Sequence, residues 1–461
     1  MTCKFYKALI TISLQNFSQS NNQKNCMNKQ SKKEYSLLPV FIVVLADLIG
    51  FGIVLPLLPY YGKTFGASAL LVGLLYSVYS LAQLIFSPMW GSYSDRIGRR
   101  PVMIISTLGS VIAYIIFGLA GSLWVLFLSR IVAGIMGGNV STAQAYVADI
   151  TTEENRSKGM GMIGAAFGIG FVIGPALATG LISHAFHQFV AHHGLPAFGH
   201  WMNRNKYAMP GFFAAFLSFC SNMFVVFKLP ETVDTSNRAV STDRPTRHTV
   251  FSKAFWQKLS KQSGKDARGL LFPLFAAYFL LAFGQASLYS AFPLFSKANL
   301  GLSIEQIGIQ FFYIGLIAAI IQGGVVRQLT KYIDEGKIFL AGCVLMSIGL
   351  GLIPLAGSLT MLSVYLGIMA VGFSLNQPTM LSLISKEAEE SNVGATMGTS
   401  QGMQGLGRMF GPVFGGFLFG ISDGLPFYCT AVAVAITILI GFKIVQTEIP
   451  QKEKKEPVAA K

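Results

Sequence analysis

Charge is scarce in this sequence. Only 12% of the 461 residues are charged, whereas 52% are hydrophobic. A soluble globular domain carries about 25% charged residues, because its surface must face water. Half of that content is too little to coat a globule of this size, so the composition excludes an ordinary soluble protein. The 49 glycines fit a lipid environment, since small residues let membrane helices pack closely.

Signatures of metal and cofactor chemistry are also lacking. The five cysteines are scattered, and no two of them have the spacing of a metal site or a redox motif. No Gly-x4-Gly-Lys-Ser/Thr phosphate loop occurs, so the sequence does not indicate nucleotide hydrolysis. We therefore expect neither a cofactor nor a bound metal.

Long apolar stretches, in contrast, are abundant and predict an all-α membrane protein. A membrane-spanning helix needs roughly 20 mostly apolar residues. Twelve stretches meet this requirement, at residues 38–60, 69–90, 102–120, 122–147, 160–183, 210–228, 271–295, 305–328, 338–356, 359–385, 394–421 and 424–446.

The stretches fall into two groups of six, which predicts two pseudo-symmetric six-helix bundles. The first bundle covers residues 38–228 and the second covers 271–446, with a hydrophilic cytosolic linker at 229–270. Cytosolic tails are expected at 1–37 and 447–461.

The two halves also resemble each other in sequence, as is common in transporters. At an offset of 237 residues, four glycines and a proline of the first half coincide with identical residues of the second. The first set is Gly161, Gly168, Gly170, Gly174 and Pro175, and the second set is Gly398, Gly405, Gly407, Gly411 and Pro412.

Lysine and arginine predict the orientation, because they are enriched on the cytoplasmic side of membrane proteins. With both termini inside, the cytosolic segments hold 29 of the 35 basic residues. The net charge of +15 is then a signal of topology, and nucleic acid is not an expected partner. We expect a multi-pass protein of the plasma membrane, the inner membrane of a bacterium.

One acidic residue stands apart, because Asp47 alone lies deep within an apolar stretch. A carboxylate at that depth costs at least about 2.5–3.5 kcal/mol on insertion scales, so it usually faces a cavity or a partner. Burial disfavours the charged form, which lets an acid hold a proton until water or a cation arrives. Asp47 is therefore a candidate for proton or substrate coupling; the alternative is a structural hydrogen bond to nearby backbone.

Two arginines also lie within the predicted spans. Arg130 in the fourth stretch has a depth similar to that of Asp47, and our hypothesis is that it tunes the proton affinity of that acid. Alternatively, Arg130 only joins its helix to its neighbours through backbone carbonyls. Arg408 in the eleventh stretch could bind an anionic substrate or backbone.

A compact charged turn follows the second stretch. Its glycines permit a tight reversal, and its acid can pair with an arginine or a helix N-terminus to form a polar latch. The alternative is a solvated basic turn that only sets the topology. The residues concerned are Gly91, Asp95, Arg96, Gly98, Arg99 and Arg100.

The turn has the spacing of a signature of the major facilitator superfamily, which the chain resembles over essentially all of 38–446. Three further stretches support the resemblance. Residues 47–59 look like the family's first-helix pattern, 130–134 look like its arginine motif, and 170–175 look like its antiporter motif, which 411–416 repeat. The residues that carry the antiporter pattern are Gly170, Gly174, Pro175, Gly411 and Pro412.

Among the members of that family, the chain most resembles the drug/proton antiporters, particularly the tetracycline/proton exchangers. The resemblance implies two six-helix bundles that rock about a central site, and a charged turn that steadies the outward-open state. Two acids of the tetracycline exchangers are replaced near Ala113 and Leu345, so tetracycline itself is not the expected substrate.

Polar and aromatic side chains in the helices that line the family's cavity are candidate substrate contacts. For any one of them, the alternative is a hydrogen bond between helices. The candidates are Tyr79, Gln83, Asn139, Gln144, Gln285, Tyr289, Asn376, Gln377, Gln401 and Arg408.

A long loop after the fifth stretch holds five of the six histidines, within residues 184–200. We favour an amphipathic surface insert over a metal site, because only His184 and His187 have a spacing typical of metal ligands.

The sequence as a whole predicts a secondary active transporter rather than an enzyme. We expect a monomer in the lipid bilayer that exports a small lipophilic or cationic compound, a drug or a metabolite, in exchange for protons, driven by the proton gradient. An alternative is proton-coupled uptake of a metabolite or a siderophore-like compound. A membrane sensor or an integral enzyme would be an alternative of a different class.

Overall fold

The structure is a computed structural model, and it describes residues 37–151, 153–193, 196–233, 270–388 and 393–447. The predicted tails, apart from Leu37 and Thr447, lie outside these residues. So does nearly all of the predicted linker.

Twelve long helices make up most of the described chain, as the apolar stretches predicted. In the first half these are α1 (Leu38–Thr64), α2 (Ala69–Ile97), α3 (Arg99–Gly118), α4 (Leu123–Ile150), α5 (Glu153–Ile182) and α6 (Ala208–Lys228). In the second half they are α7 (Leu271–Leu300), α8 (Ile304–Leu329), α9 (Glu335–Leu355), α10 (Leu359–Glu387), α11 (Val393–Phe419) and α12 (Leu425–Gln446).

Eleven of the twelve described helices are long and apolar enough to cross a membrane. The exception is α11, which has 27 residues but carries Gln401, Gln404 and Arg408 among its glycines. These polar residues lower its mean hydropathy, so it depends most on its neighbours to shield it from lipid.

Corresponding helices of the two halves begin with the same kind of N-terminal cap. A serine hydroxyl caps each of α2, α4, α8 and α10 by accepting a hydrogen bond from the backbone N–H three residues further on. Gly66 and Gly301 precede α2 and α8 with φ of +74° and +62°, a region that favours glycine. The four capping residues are Ser68, Ser122, Ser303 and Ser358.

Glycines bring α5 against α1. A Cβ atom placed on Gly174 would lie 2.6 Å from the Cα of Gly52, and one on Gly170 would lie 2.7 Å from the Cβ of Leu48. These separations are below ordinary van der Waals contact, so only glycine permits the approach. Close contact of this kind is what holds helices together where lipid removes the hydrophobic driving force.

The second half repeats this contact between α11 and α7. A Cβ on Gly407 or Gly411 would lie 2.5 Å from the carbonyl oxygen of Phe279 or Phe283, respectively. The Ser290 hydroxyl of α7 also donates a hydrogen bond of 3.0 Å to the carbonyl oxygen of Pro412 on α11. The antiporter-type residues thus lie in two equivalent helix contacts.

The halves touch along α5 and α8 at one end only. A Cβ on Gly315 would lie 2.7 Å from the carbonyl oxygen of Phe171, but one on Gly168 would lie 3.9 Å from the Cα of Ala319. Further along α5, a Cβ on Gly164 would meet no atom within 4 Å. The two helices therefore diverge toward the end of the molecule that holds the turn between α2 and α3.

The pair α2 and α11 diverges toward the same end. Gly73 and Gly416 lie against the backbone of Pro412 and Ala69, whereas a Cβ on Gly398, near the start of α11, would have open space. At the opposite end, the Tyr60 hydroxyl of α1 also lies 3.4 Å from the carbonyl oxygen of Pro293 on α7. The space between the halves is closed at this end and opens toward the other.

The histidine-rich loop forms two short helices, His184–His192 and Pro196–Arg204. His187 is only 1% exposed, and its ring nitrogens lie 3.0 Å from the Asn203 side-chain oxygen and 2.8 Å from the carbonyl oxygen of Leu181. This side chain thus joins the two short helices to the end of α5. Within the described residues, no group of three or more metal-binding side chains comes together.

We predict that Gly174→Val destabilises the fold, because its side chain would collide with the backbone of α1 at Gly52. Overpacking of this kind costs about 1–3 kcal/mol. Thermal unfolding of the detergent-purified protein should show a lower midpoint than the wild type. Gly180→Val is the matched control on the same helix, because a Cβ there would meet no atom within 4 Å. Equal midpoints for the two variants would contradict the packing role.

Candidate functional site

A cavity lies between the two halves. Side chains of α1, α2 and α4 line it from the first half, and side chains of α7 and α11 line it from the second. Its wall is mostly aliphatic and aromatic, with a few polar groups, as is typical of sites for small organic molecules. The polar or aromatic lining residues are Phe51, Tyr76, Tyr79, Ser80, Arg130, Tyr289 and Arg408.

Aromatic rings form a continuous row beside this cavity, from one half to the other. Tyr79 stacks on Phe51 with 5.1 Å between ring centroids, and Phe51 meets Phe171 of α5 edge to face at 6.0 Å. Phe171 in turn stacks on Tyr289 of α7 at 6.4 Å. Such pairs contribute about 0.5–1.5 kcal/mol each beyond the area they bury, so the row stabilises this side of the cavity.

Arg130 reaches the cavity from α4 and is only 2% exposed. Its Nε donates a 3.3 Å hydrogen bond to the hydroxyl of Ser129, and its guanidinium lies 4.9 Å from the centroid of the Phe117 ring. One terminal nitrogen, Nη2, is buried and has no hydrogen-bond partner in the described part of the chain. No carboxylate of the described residues forms an ion pair with it.

Arg408 faces the same cavity from α11 in the other half. It is half-buried, and it forms neither an ion pair nor a hydrogen bond with any residue that the structure describes. Electrostatic interactions connect it with Tyr79 and Tyr289, on opposite sides of the cavity. The cavity therefore holds two arginines, and none of its described lining residues is acidic.

Asp47 lies beside this cavity rather than in its wall. It is half-buried on α1, one turn before the lining residue Phe51, and its Oδ1 accepts a 3.2 Å hydrogen bond from the Ser110 hydroxyl of α3. Tyr79 and Tyr114 interact electrostatically with both Asp47 and Arg130. The acid is thus within electrostatic reach of tyrosines on α2 and α3, and it is not one of the lining residues.

Asp47 and Arg130, predicted to lie at similar depths, form no ion pair in the described part of the chain and contact α3 at different levels. On α3, the acid contacts Ser110 and the arginine contacts Phe117, seven residues away. At 1.5 Å per residue, these contacts differ in depth by about 10 Å, or two helical turns. Both charges interact electrostatically with Tyr79 and Tyr114.

The charged turn between α2 and α3 forms a network within the first half. Gly98 ends α2 with φ of +108°, and the next residue, Arg99, is 7% exposed. Its guanidinium pairs with Asp95 at 2.5 Å and with Asp149 of α4 at 2.9 Å, and it donates to the Ser94 hydroxyl at 2.6 Å. The predicted pairing of the acid in the turn is therefore present.

A second acid holds the start of α3. The side chain of Glu231, after α6, accepts hydrogen bonds of 2.9 and 3.1 Å from the backbone N–H groups of Arg99 and Arg100. The guanidinium of Arg100 donates to the carbonyl oxygen of Val226 at 2.5 Å. A carboxylate at a helix N-terminus satisfies free N–H groups and complements the helix dipole.

Gly91 is buried in α2, and Arg96 is exposed without an ion pair in the described residues.

Three of the ten side chains predicted to contact substrate line the cavity, namely Tyr79, Tyr289 and Arg408. Asn139 and Asn376 are at most 1% exposed and lie between helices. Gln83 donates to the carbonyl oxygen of Gly137 at 3.3 Å and to the Tyr79 hydroxyl at 3.4 Å. The other four, which do not line the cavity, are Gln144, Gln285, Gln377 and Gln401.

Sequence reasoning did not identify several residues of these sites. Asp149 and Glu231 lie at helix ends, where acids are common, so their spacing gave no signal. Phe51 and Phe171 look like ordinary lipid-facing or core residues. The i, i+4 spacing from Asp47 to Phe51 could have drawn attention to the latter, because it places both on one face of α1.

Two repeated halves around a central cavity, with helix pairs that diverge toward one end, define a membrane transporter. The chain belongs to the Major Facilitator Superfamily, whose family model matches residues 40–388 and 274–461. This result confirms the resemblance that the sequence motifs carry.

Proteins with drug-resistance names are among the relatives. Multidrug resistance protein 2 of Bacillus subtilis (strain 168) is 28% identical over 91% of this chain and 97% of its own length. Tetracycline resistance protein, class E, of Escherichia coli is 26% identical over 83% of this chain and 88% of its own length. The crystal structure of the human organic anion transporter MFSD10 (TETRAN) is similar with a TM-score of 0.65 and 25% identity, over 90% of this chain and all of that one.

We predict that Arg99→Gln lowers the thermal stability, because it leaves Asp95 and Asp149 facing each other without a cation. Breaking such a partly buried network costs about 3 kcal/mol. Arg96→Gln is the matched control in the same turn, because that side chain is exposed and unpaired among the described residues. The unfolding midpoint of the purified protein should fall for Arg99→Gln only, and an equal fall in both variants would refute the network.

Proposed function

We propose that this protein is a proton-coupled antiporter that exports a small lipophilic compound by alternating access. The observation that carries the proposal is Asp47, a half-buried carboxylate on a membrane-spanning helix that sits one turn from the wall of the central cavity. Such a group is costly in a membrane, and its retention is explained if it takes up and releases a proton during transport.

The proton site and the cavity share neighbours in this proposal. Tyr79 lines the cavity and interacts electrostatically with Asp47, and Phe51 stacks on Tyr79 one turn above the acid. A bound compound that moves these rings changes the surroundings of the carboxylate. Proton binding and substrate binding then influence each other through two aromatic side chains.

The divergence of the helix pairs supports alternating access. With the basic linker and the α2–α3 turn in the cytoplasm, the open end of the molecule faces inward, as before the loading of a compound for export. Both termini are then cytoplasmic, in the inner membrane of a bacterium. The network around Arg99 lies entirely within the first half, so it can move as a unit when the halves rock.

The names of the relatives favour export over uptake. Two of the three name resistance to drugs, for which removal from the cell is the simplest basis. The third names organic anions. The names therefore point to small organic molecules as substrates but disagree about their charge.

We predict that Asp47→Asn abolishes substrate-driven proton movement while the protein still folds, because an amide cannot exchange the proton. The measurement uses proteoliposomes with an internal pH dye, to which the aromatic probes described below are added under an imposed pH gradient. The dye signal should fall to that of liposomes without protein. Ser110→Ala, which removes the hydrogen bond to Asp47, should change the pH dependence of the flux without abolishing it.

Asp423→Asn is the control for neutralising an acid elsewhere, since this half-buried side chain lies outside the cavity lining and accepts a 3.2 Å hydrogen bond from Asn299. It should transport as the wild type does. Normal coupling in Asp47→Asn would refute the role of the acid. Proton and substrate movement in the same direction would favour uptake by symport over the proposed exchange.

A further inference from the structure

We propose that the central cavity selects aromatic organic anions, such as aromatic carboxylates or sulfonates, and rejects cations of the same shape. The proposal rests on the proposed transport function and specifies the chemistry of its substrate. It depends on the juxtaposition of Arg130 and Arg408 in one cavity with no acid among its described lining residues.

The first step of the argument concerns Arg130. A buried guanidinium is costly unless acceptors surround it. Among the described residues, the side chain donates one hydrogen bond, from Nε to the Ser129 hydroxyl, and the buried Nη2 has no partner. The ring of Phe117 offers a weak compensation from one face. Arg130 lines the cavity, so an acceptor on a bound ligand can compensate it.

The second step concerns the other half of the molecule. Arg408 lines the same cavity from α11 and is half-buried, again without an ion pair among the residues that the structure describes. Two guanidinium groups that share one cavity repel each other, and the repulsion is strong where water is scarce. A bound anion removes that repulsion, whereas a bound cation adds to it.

The third step concerns the nearest acid. Asp47 could neutralise one arginine, but it accepts a hydrogen bond from Ser110 and forms no ion pair with Arg130. Its position lies about two helical turns from the arginine along α3. The positive charge of the cavity is therefore left for a ligand.

The fourth step concerns shape. Three rings of the aromatic row, those of Tyr79, Phe51 and Tyr289, line the cavity. Guanidinium groups bind carboxylates and sulfonates through paired hydrogen bonds, and aromatic rings stack on such walls. A ligand with an aromatic body and an anionic head matches both features of the lining.

The test compares three probes of nearly the same shape: 2-naphthoate, 2-acetylnaphthalene and 2-naphthylmethylammonium. Binding to the full-length protein in nanodiscs is measured by equilibrium dialysis without a pH gradient, against empty nanodiscs. We expect saturable binding of the carboxylate, weaker binding of the neutral ketone and no saturable binding of the ammonium compound. Tighter binding of the ammonium compound, or no saturable binding of the carboxylate, would overturn the proposal.

Substitutions then assign the selectivity to the arginines. Arg408→Gln should weaken naphthoate binding about tenfold or more, because a charged hydrogen bond contributes about 1.5–3 kcal/mol. It should leave the affinity for the neutral ketone unchanged, and Arg408→Lys should retain most of the preference for the anionic probe. Arg327→Gln neutralises an exposed arginine of α8 outside the cavity and should bind all three probes as the wild type does.

Arg130→Gln should have the same selective effect as Arg408→Gln. If Arg130→Gln does not fold, Arg408→Gln and the comparison of the three probes with the wild type test the anion selectivity. Equal weakening of all three probes by Arg408→Gln would refute anion selection. Because no proton gradient is applied, this outcome is independent of coupling through Asp47. Anion-selective binding together with normal proton coupling in Asp47→Asn would contradict the proposed function alone.

Discussion

The close approach of helices at glycine residues is the constraint on which the rest of this structure depends. Lipid tails are as apolar as the side chains, so no hydrophobic driving force brings the helices together. The helices associate through tight packing contacts instead. In the first half α1 meets α5 at Gly52 and Gly174, and in the second half α7 meets α11 at Gly407 and Gly411. These contacts position the walls of the central cavity and allow the polar helix α11 to stand beside it.

The charged groups are arranged around that frame in two regions. At the helix ends, Arg99 is fully compensated by Asp95 and Asp149, and Glu231 caps the start of α3. At the centre, Arg130 and Arg408 lack carboxylate partners among the described residues. Compensated charges stabilise one arrangement of the helices, whereas uncompensated charges in a cavity are available to a ligand.

Symmetry explains why both halves contribute to the site. The helix starts at Ser68 and Ser303 are capped in the same way, and Gly66 and Gly301 form equivalent turns before them. The pairs α2–α11 and α5–α8 join the halves in equivalent ways and diverge toward the same end. A cavity built by repeated elements can therefore open at either end by a rocking motion without rearranging either half.

The sequence by itself determined the membrane class, the twelve helices and the family, because apolar length, glycine spacing and the 91–101 turn are local properties of the chain. It also identified Asp47, Arg130 and Arg408 as unusual, since charge within an apolar stretch is visible without coordinates. Only the tertiary structure decided that both arginines line one cavity while the acid does not. Depth along a helix can be counted from the sequence, but the direction of a side chain depends on how helices distant in the chain pack together.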